Sequence, residues 1–533
     1  MNTLHRYDAG RYRIYSFFLF IYGTLMETEL KLKIAEPDMV RLNDHPLLKD
    51  FAGSPPGEHR LKDTYYDTPK LELWRHGVTL RVREEGDSEQ GATWVQTVKT
   101  AAPSSATLHE RGEWESVLSS NLPQPVEIAR QIKVDWIAKL LRSTTILQKL
   151  RPVFTNTTHR TTWNLELPDG QQVECALDSG SIECAGKSIA IGELELELKK
   201  GNPTYLFELA LALHEEIPVQ IANDSKAARG YALIETRAPQ AVKARAVHLT
   251  RKMRLEDAFR TIGLNCLEHM EANVPEVLMQ SVEGLHQMRV GLRRLRALMD
   301  MFGALAPLPA EISEGVEWLA TELGATRDWD VLAGTTLKQM DFTDAAPLKE
   351  LAAAKARDAH QALLLSLRGP RYTQVVLQLN GWFYGRHWRS SDHRAKDDRL
   401  SARAAVGMIP LLRRAGKRLG QRINSADSND PATVHRVRIA AKKARYAAEF
   451  FADLLPRRAG RKYVSHLSKL QDHLGSFNDL EVAKRLLSEL GGESSSRSAQ
   501  FALGYFSSEL RSSMAALPMA LKNTRRLQIP IPT

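Results

Sequence analysis

Alternating charged and apolar residues in the first 240 positions constrain the fold of this chain more than any other feature of its sequence. In METELKLKI, residues 26 to 34, Glu and Lys occupy every second position, and Thr, Leu and Ile fill positions between them. The segments TLRVREE, RGEWESVL and GELELELKK repeat this alternation, and turns rich in Gly, Pro, Asp and Asn separate them. Because successive side chains of a β-strand point to opposite faces, each segment predicts a strand with one charged and one apolar face.

Strands of this kind can be arranged in two ways. An open sheet would expose its charged face to water, whereas a closed barrel covered by helices would place the charges inside. Buried charges persist only when they are paired or bind a metal or a ligand. Carboxylates on separate strands suit Mg²⁺ or Mn²⁺, and Arg and Lys side chains suit phosphate oxygens. The chemistry therefore favours the barrel, with phosphoryl transfer to water as its reaction.

The second half of the chain predicts long amphipathic helices and contains an internal repeat. HQMRVGLRRLRALMDMF, beginning at His286, aligns without a gap on HRVRIAAKKARYAAEFF, beginning at His435. LGATRDWDVL and LGSFNDLEVA, which begin 37 and 39 residues after these histidines, align in the same way. Two copies of one helical unit with pseudo-twofold symmetry are therefore predicted. TRDWD and FNDLE are predicted to be loops that cap helices and form salt bridges with the repeated helices.

The excess positive charge of the chain is confined to this second half. Residues 1 to 252 contain 32 Lys and Arg against 33 Asp and Glu, whereas residues 253 to 533 contain 41 against 30. With about 100° between successive helical residues, the bases of each copy form one stripe that no acid interrupts: His286, Arg289, Arg293 and Arg296, and His435, Arg438, Lys442 and Arg445. Such stripes predict a polyanionic partner, namely nucleic acid, an acidic membrane surface or a phosphate polymer.

Two alternatives qualify this prediction. A basic surface can be kept for solubility alone. Nucleic acid is the weaker of the polyanions, because the stripes have no interleaved aromatic residues and no groove-reading motif. The histidines lack metal-ligand spacing, so we interpret them as hydrogen-bond donors to an anion rather than as metal ligands.

The N-terminus and the cysteines bear on processing and compartment. YRIYSFFLFIYGTL, within residues 1 to 25, is too short for a membrane span and lacks a signal cleavage motif. We predict that residues 1 to 25 are an upstream leader before a start at Met26, with a cleaved signal peptide as the alternative. Cys175, Cys184 and Cys266 form no CxxC pair. They predict buried thiols, a reducing compartment and a cytoplasmic protein. Separately, we expect no membrane partner.

Both halves resemble known families. ETELK is similar to the ExExK signature of the CYTH superfamily, the triphosphate tunnel metalloenzymes. Further segments follow in that family's order: YYDTP, LRVR, the strand-end Lys99, HERGEWE, HRTTW, ALDSG, ELELELKKG and SKAARGYAL. The paired basic helices of the second half resemble the CHAD module, which is associated with binding of inorganic polyphosphate.

The resemblance implies an α+β chain with two domains. An N-terminal eight-stranded antiparallel β tunnel barrel with flanking helices would be followed by a C-terminal all-α helical bundle with an internal twofold repeat. The predicted boundaries are residues 26–238 for the CYTH domain, 239–252 for a linker and 253–525 for the CHAD domain.

The implied activity is metal-dependent hydrolysis of inorganic triphosphate to diphosphate and phosphate, beside a helical module that binds inorganic polyphosphate. Thiamine-triphosphate hydrolysis, cyclisation of ATP as in class IV adenylate cyclases, and a non-catalytic polyphosphate-binding scaffold are the alternatives. The sequence contains no Ser/His/Asp or Cys/His set that would act as a nucleophile, which fits direct attack by water.

The resemblance also assigns roles to individual residues. The ligands of Mg²⁺ or Mn²⁺ would be Glu27, Glu29, Asp178, Glu195 and Glu197. The catalytic set would be Glu27, Glu29, Lys31, Arg81, Arg83 and Lys99, and the substrate would be bound by Lys31, Arg81, Arg83, Lys99, Glu113, Arg160 and Lys226. Glu113 and Glu193 could instead orient a neighbouring Arg or a water. Polyphosphate would be bound by His286, Arg289, Arg293, Arg294, Arg296, His435, Arg438, Lys442, Lys443 and Arg445.

Overall fold

A computed structural model describes residues 26–86, 93–100, 107–235, 240–338, 340, 345–389, 398–427, 430–491, 497–525 and 527–531. The predicted leader at residues 1 to 25 lies outside these ranges. The chain divides into two compact units, Met1–Ala238 and Pro239–Thr533. None of the helices in the described ranges combines the length and the apolar character that crossing a lipid bilayer requires.

The N-terminal unit is built on an antiparallel sheet. Its strands are β1 (Met26–Ile34), β2 (Gly57–Asp67), β3 (Val78–Glu85), β4 (Thr93–Thr100), β5 (Leu108–Leu118), β6 (Arg151–Leu167), β7 (Gln171–Cys184), β8 (Lys187–Lys200) and β9 (Val219–Ile221). They are hydrogen bonded in the order β5-β4-β3-β2-β6-β7-β8-β1-β9. In addition, β1 pairs with β5 through residues 26–30 and 108–112.

The strand count differs from the prediction. Eight strands were expected, and the described residues form nine, because the short strand β9 pairs with the end of β1. Three residues with a single buried valine give no alternation that a sequence pattern could reveal. The α+β class and the antiparallel arrangement are confirmed.

Eight helices accompany the sheet in the residues that the structure describes. They are α1 (Glu36–Asn43), α2 (Pro46–Phe51), α3 (Glu72–Arg75), α4 (Pro125–Ile128), α5 (Asp135–Leu141), α6 (Thr144–Leu147), α7 (Thr204–Glu216) and α8 (Lys226–Ile234), with a 3₁₀ turn at Pro168–Gly170. The apolar faces of β3 and β4 pack against residues of α4, α5 and α6 in one core cluster. Helix α7 packs on β1 and β8. The apolar faces of the strands are therefore covered by helices, as the barrel interpretation required.

The charged faces are also shielded from water. In β1, Leu30 and Leu32 are fully buried on one face, while Glu29 and Lys31 on the other face are only 2% and 3% exposed. An open sheet with a solvated charged face would leave these two side chains in water. The structure thus confirms the inward direction for these two charges, whereas Lys33, on the same face, is exposed.

Helix α8 packs against the charged side of the sheet. Ser225 caps its N-terminus by accepting a hydrogen bond from the backbone N–H of Ala228. Gly230 allows close packing, because a Cβ at this position would lie 2.2 Å from the ring of Phe154, which belongs to the same face of β6 as Arg160. Lys226, in the first turn of α8, is thereby held beside the inward-facing charges.

The second unit is helical. Its helices are α9 (Leu255–Glu271), α10 (Val274–Leu278), α11 (Val282–Phe302), α12 (Ala310–Val331), α13 (Ala345–Arg368), α14 (Pro370–Gly385), α15 (Ala404–Asn424), α16 (Pro431–Phe450), α17 (Arg457–Gly491) and α18 (Arg497–Arg525). A π-helical turn follows α12 at Leu332–Thr336, and 3₁₀ turns lie at His387–Arg389, Asp398–Ser401 and Ala452–Leu454. Residues 240–252 form no helix or strand, and the backbone N–H of Val242 donates to the Asn273 side chain.

Two predictions about this unit can be compared with the structure. TRDWD and FNDLE lie inside α12 and α17, so their prediction as loops was wrong. Thr326 does not break the helix, because its hydroxyl donates to the carbonyl of Glu322 within α12. The helices that carry the basic stripes, α11 and α16, pack on each other, and Arg293 Nε donates to the Tyr446 hydroxyl at 2.8 Å. The twofold relation between the two copies stays a prediction.

Candidate active site and candidate anion-binding site

The inward-facing charges of the N-terminal unit line a cavity of about 340 Å³. Its charged lining comes from the strands β1 to β8 and the first turn of α8. These residues are Glu29, Lys31, Asp63, Arg81, Arg83, Lys99, Glu113, Glu115, Arg160, Glu174, Asp178, Glu195, Glu197, Lys199 and Lys226. Acids and bases are present in similar numbers, so the arrangement of their pairs determines which ligands the cavity can take.

One group of charges is centred on Asp63. Arg83 donates through Nε to Asp63 Oδ1 at 2.7 Å and through a terminal nitrogen to Oδ2 at 3.2 Å, and Arg81 donates to Oδ2 at 3.2 Å. Burial alone would raise the pKa of the Asp63 carboxyl, but Arg81 and Arg83 hold this pKa well below its usual range. Asp63 therefore remains ionised and fixes two guanidinium groups.

A second group joins Arg160, Lys226 and two carboxylates. Arg160 forms a fork on Asp178 with distances of 2.7 and 2.6 Å, and it also donates to Glu195 at 2.6 Å. Lys226 Nζ lies 2.7 Å from Asp178 and 2.9 Å from Glu195, and Lys31 contacts Glu195 as well. Burial would raise the pKa of Glu195, but Lys226, Lys31 and Arg160 hold it well below the usual value.

Glu193 connects α8 to the sheet. It is completely buried, its Oε2 lies 2.7 Å from Lys226 Nζ, and its other oxygen accepts a hydrogen bond from Arg229. Glu193 thus orients two bases of α8, which is one of the two roles the sequence left open for it. Glu113 lies 2.8 Å from Lys99 Nζ and 3.9 Å from Arg81.

Paired carboxylates on neighbouring strands give the cavity donor chemistry that fits a hard divalent cation. Glu29 and Glu197 are directly opposite each other on β1 and β8, with Lys31 3.1 Å from Glu29 and Lys199 2.8 Å from Glu197. Like charges directly opposite across two strands are destabilising, and carboxylate oxygens are the ligands that Mg²⁺ prefers. Within the described ranges, no group of three or more His, Cys, Asp or Glu side chains is arranged to hold a metal ion.

A basic cluster forms where α11 and α16 meet in the helical unit. We define it as His286, Arg289, Arg293, His435, Arg438 and Lys442. Burial, followed by the charges of Arg293, Arg438 and Arg289, lowers the pKa of Lys442 to about 6. Bases that suppress one another's protonation in a partly buried site indicate an anionic ligand.

Acids border this cluster without neutralising it. Arg289 lies 3.4 Å from Asp328 and also donates to the carbonyl of Gly324, so the predicted salt bridge from TRDWD is confirmed. Burial raises the pKa of Asp328 despite its contacts with Arg289 and Arg485. In the second copy, Arg438 donates to the Asn478 side chain at 2.8 Å.

Comparison with known families identifies both units. The family model of the CYTH domain matches residues 25–231, and that of the CHAD domain matches residues 261–488. The chain is a CYTH domain followed by a CHAD domain. The CYTH match covers the charged cavity, and the CHAD match covers the basic cluster.

Two relatives extend this comparison. An inorganic triphosphatase from Haemophilus influenzae is 32% identical over 209 residues, which cover 39% of this chain and 55% of the relative. The chain thus spans about half the length of the relative. The crystal structure of the CHAD domain from the plant Ricinus communis is 35% identical, covers 55% of this chain and 98% of that chain, and has a TM-score of 0.50.

The CYTH domain brings most of its predicted residues to one place. The cavity is lined by Glu29, Lys31, Arg81, Arg83, Lys99, Glu113, Arg160, Asp178, Glu195, Glu197 and Lys226. The side chain of Glu27 lies outside the described part of the chain. The individual roles of these residues stay predictions.

Four charged residues of the cavity were given no role from the sequence: Asp63, Glu115, Glu174 and Lys199. Glu115 lies 3.8 Å from Arg81. Lys199 pairs with Glu174 at 3.4 Å and Glu197 at 2.8 Å, and it continues the alternation of GELELELKK, so the sequence contained a signal for it. Glu174 lies opposite Glu197 on β7. Asp63 lies opposite Arg83, and only the register of β2 against β3 reveals this contact.

The CHAD domain brings together only part of its predicted set. Arg294 is 7% exposed, donates to Asn265 and lies over the ring of Phe450, so a polyphosphate contact for it is not supported. It follows Arg293 by one residue, and the rotation of about 100° turns it away from the stripe. Three further predicted bases pair with acids outside the basic cluster: Arg296 with Glu317, Lys443 with Asp300 and Arg445 with Glu449.

Proposed function

We propose that the CYTH domain hydrolyses inorganic triphosphate to diphosphate and phosphate with Mg²⁺ or Mn²⁺. The observation that carries this proposal is the buried network in which Arg160, Lys226 and Glu195 meet. The name of the Haemophilus influenzae relative supports the same reaction. We also propose that the pairing of β1 with β5 makes the first eight strands a tunnel around the substrate.

The bases of the cavity would bind the triphosphate. Arg81, Arg83 and Arg160 offer planar guanidinium groups that match phosphate oxygens, and Lys31, Lys99 and Lys226 add point charges. Carboxylates pair with these bases and fix the orientation of their donors. Glu113, beside Lys99, would orient the attacking water and accept its proton.

The acids of the cavity would hold the cation. Glu29 and Glu197 are the best placed, and Glu195 and Asp178 become available when their bases move to phosphate. When bound, the cation stabilises the negative charge on phosphate oxygens as a Lewis acid. Because an unpaired buried charge is costly, we expect the cation and the triphosphate to bind together rather than separately.

Trp74 is the observation that favours an organic triphosphate as a second candidate substrate. It lines the same cavity, and its ring stacks on Tyr231 with a centroid distance of 4.5 Å and an interplanar angle of 8°. An aromatic surface at the cavity suits the ring of thiamine triphosphate or ATP.

The test compares phosphate release from tripolyphosphate, thiamine triphosphate and ATP at equal concentrations. We expect the highest kcat/KM for tripolyphosphate, and an unchanged value for tripolyphosphate in Trp74→Ala. A higher kcat/KM for either organic triphosphate, or cyclisation of ATP, would favour the alternatives. No turnover of any of the three would favour a binding scaffold.

We further propose that the basic cluster of the CHAD domain binds inorganic polyphosphate. The cluster combines bases from two helices, so it can contact several phosphates of a linear chain. Binding should weaken with salt, since neutralising a linear polyanion releases its counterions.

Charge reversal in the cluster is expected to weaken this binding. Arg289→Glu with Arg293→Glu should lower affinity for long-chain polyphosphate by about tenfold or more, because each lost contact and new repulsion acts in a partly buried site. Adding Arg438→Glu with Lys442→Glu should lower it further. The measurement is retention of the full chain on immobilised polyphosphate at physiological salt.

The matched control reverses two exposed bases of α15, Arg413→Glu with Arg414→Glu, which changes the net charge equally. This variant should bind nearly as well as the wild type. Duplex DNA and RNA serve as competitors. Preference for either nucleic acid, or equal binding by all variants, would contradict the polyphosphate proposal.

Binding of polyphosphate is also expected to depend on pH through Lys442. This side chain faces Arg289 and Arg293 of α11, Arg438 of its own helix and Asp479 of α17. Its pKa of about 6 in the free protein rises when an anion binds beside it. Above pH 6 the free lysine is neutral and must take up a proton on binding, so affinity falls as pH rises from 6 to 8.

Calorimetry in buffers of different ionisation enthalpy measures this proton uptake. At pH 7.5 the wild type should take up close to one proton more than Lys442→Arg, because Arg stays charged throughout. The pKa values of His286 and His435 are also lowered, chiefly by burial, and their contribution is common to both proteins. Equal uptake by the two proteins would exclude Lys442 as the titrating group.

A further inference from the structure

Asp63 is the buried carboxylate that β2 contributes to the cavity. It is 3% exposed, lies on β2 directly opposite Arg83 on β3, and accepts hydrogen bonds from both Arg81 and Arg83. Its other cross-strand neighbour is Asn156 of β6. The nearest parallel is Asp178, which lies opposite Arg160 and accepts its fork, but Asp178 also contacts Lys226. Among these contacts, Asp63 pairs with arginines alone.

The hydrogen bonds of Asp63 determine the orientation of the two guanidinium groups. A guanidinium has five N–H donors in a fixed plane. Asp63 takes the Nε donor and one terminal nitrogen of Arg83 and one terminal nitrogen of Arg81. The remaining donors belong to side chains that line the cavity. A long side chain anchored at one edge loses little further freedom when its other edge meets a phosphate.

We infer that Asp63 is a positioning residue for triphosphate hydrolysis, holding Arg81 and Arg83 in the orientation that stabilises the reacting phosphate. The inference rests on the proposed function. It has a second consequence: a permanent negative charge beside the substrate weakens binding of the triphosphate itself. Removing this charge should therefore change turnover and ground-state binding in opposite directions.

The first test is Asp63→Asn. An amide keeps the shape but replaces one acceptor oxygen with a donor, which repels the guanidinium donors. We expect kcat for tripolyphosphate to fall by about 100-fold, as misplacement of a binding group by about 1 Å can produce. The KM for tripolyphosphate at saturating Mg²⁺ should be several-fold lower than that of the wild type, because slow chemistry brings KM close to the dissociation constant. Loss of folded protein alone would not tighten binding.

A double-mutant cycle shows whether Asp63 acts through Arg83. In an Arg83→Ala background, Asp63→Asn should lower kcat by less than about tenfold, because one of its two partners is already absent. The control is Glu58→Gln on the same strand, whose side chain is 70% exposed and lies 3.6 Å from His159. Circular dichroism and thermal melting confirm that each variant is folded.

Arg83→Lys provides a variant that leaves the buried carboxylate in place. Lysine keeps the charge but cannot form a fork on Asp63, so binding should persist within about threefold while kcat falls at least tenfold. If Asp63→Asn does not fold, Arg83→Lys alone tests whether the contact between Asp63 and Arg83 supports turnover. Wild-type kcat in Arg83→Lys or in Asp63→Asn would overturn the positioning role.

The outcomes also separate this inference from the proposed function. If the wild type hydrolyses tripolyphosphate and Asp63→Asn does so equally well, only the inference fails. If the wild type hydrolyses no triphosphate, the proposed function fails, and with it the positioning role.

Discussion

Arg83→Ala is expected to lower kcat/KM for tripolyphosphate by about 30- to 900-fold, which corresponds to about 2 to 4 kcal/mol of transition-state stabilisation. Arg83 lines the cavity, and Asp63 fixes its guanidinium at 2.7 Å. Charge that develops on the phosphate during hydrolysis would lose this support. Steady-state phosphate release over a range of tripolyphosphate concentrations gives the value.

The control for this prediction is Arg130→Ala, which removes an exposed arginine of the same domain that pairs with Glu127. It should leave kcat/KM within about twofold of wild type, because surface ion pairs contribute little. If both Arg83→Ala and Arg130→Ala retain the wild-type kcat/KM, Arg83 does not contact the substrate.

Removal of the cation is expected to have the largest effect of all. A triphosphate cannot enter a cavity lined by Glu29, Glu195 and Glu197 without repulsion unless cations lie between the two. Chelation with EDTA should therefore abolish hydrolysis, and Mg²⁺ or Mn²⁺ should restore it. Full activity in EDTA would contradict the assignment of these acids.

Glu29→Gln tests one acid of this set. Glu29 is buried opposite Glu197, and Lys31 lies 3.1 Å from it. We expect kcat to fall about 100-fold or more, and more Mg²⁺ to be required for half-maximal rate. Glu127→Gln makes the same substitution at an exposed position and should leave both kcat and the Mg²⁺ requirement unchanged. A Glu29→Gln enzyme with wild-type rate and wild-type Mg²⁺ dependence would remove Glu29 from the metal site.

The alternation of the sequence predicted the strands and the inward direction of their charges. METELKLKI, TLRVREE and GELELELKK carry strong period-two patterns, and all three became strands. Their charged residues that line one cavity are Glu29, Lys31, Arg81, Arg83, Glu195, Glu197 and Lys199. Because each buried charge requires a partner of opposite sign or a ligand, strands with charges of both signs can be arranged in few ways.

Contacts that depend on register were beyond the sequence. The pairing of Asp63 with Arg83 follows from the register of β2 against β3. The turn between two strands and the burial of one face determine this register together, and neither can be read from the two residues alone. The same limit applies to β9. Arg294 is a different case, because the rotation of about 100° from Arg293 already placed it away from the stripe. TRDWD and FNDLE were misjudged because polar residues inside a packed helix resemble those of a loop.

The most direct test of the account is ³¹P NMR of tripolyphosphate incubated with the full chain and Mg²⁺. We predict that the triphosphate signals disappear as diphosphate and phosphate appear in equal amounts, and that EDTA or Glu29→Gln prevents the change. Persistence of tripolyphosphate in the presence of folded protein and Mg²⁺ would contradict the proposed activity.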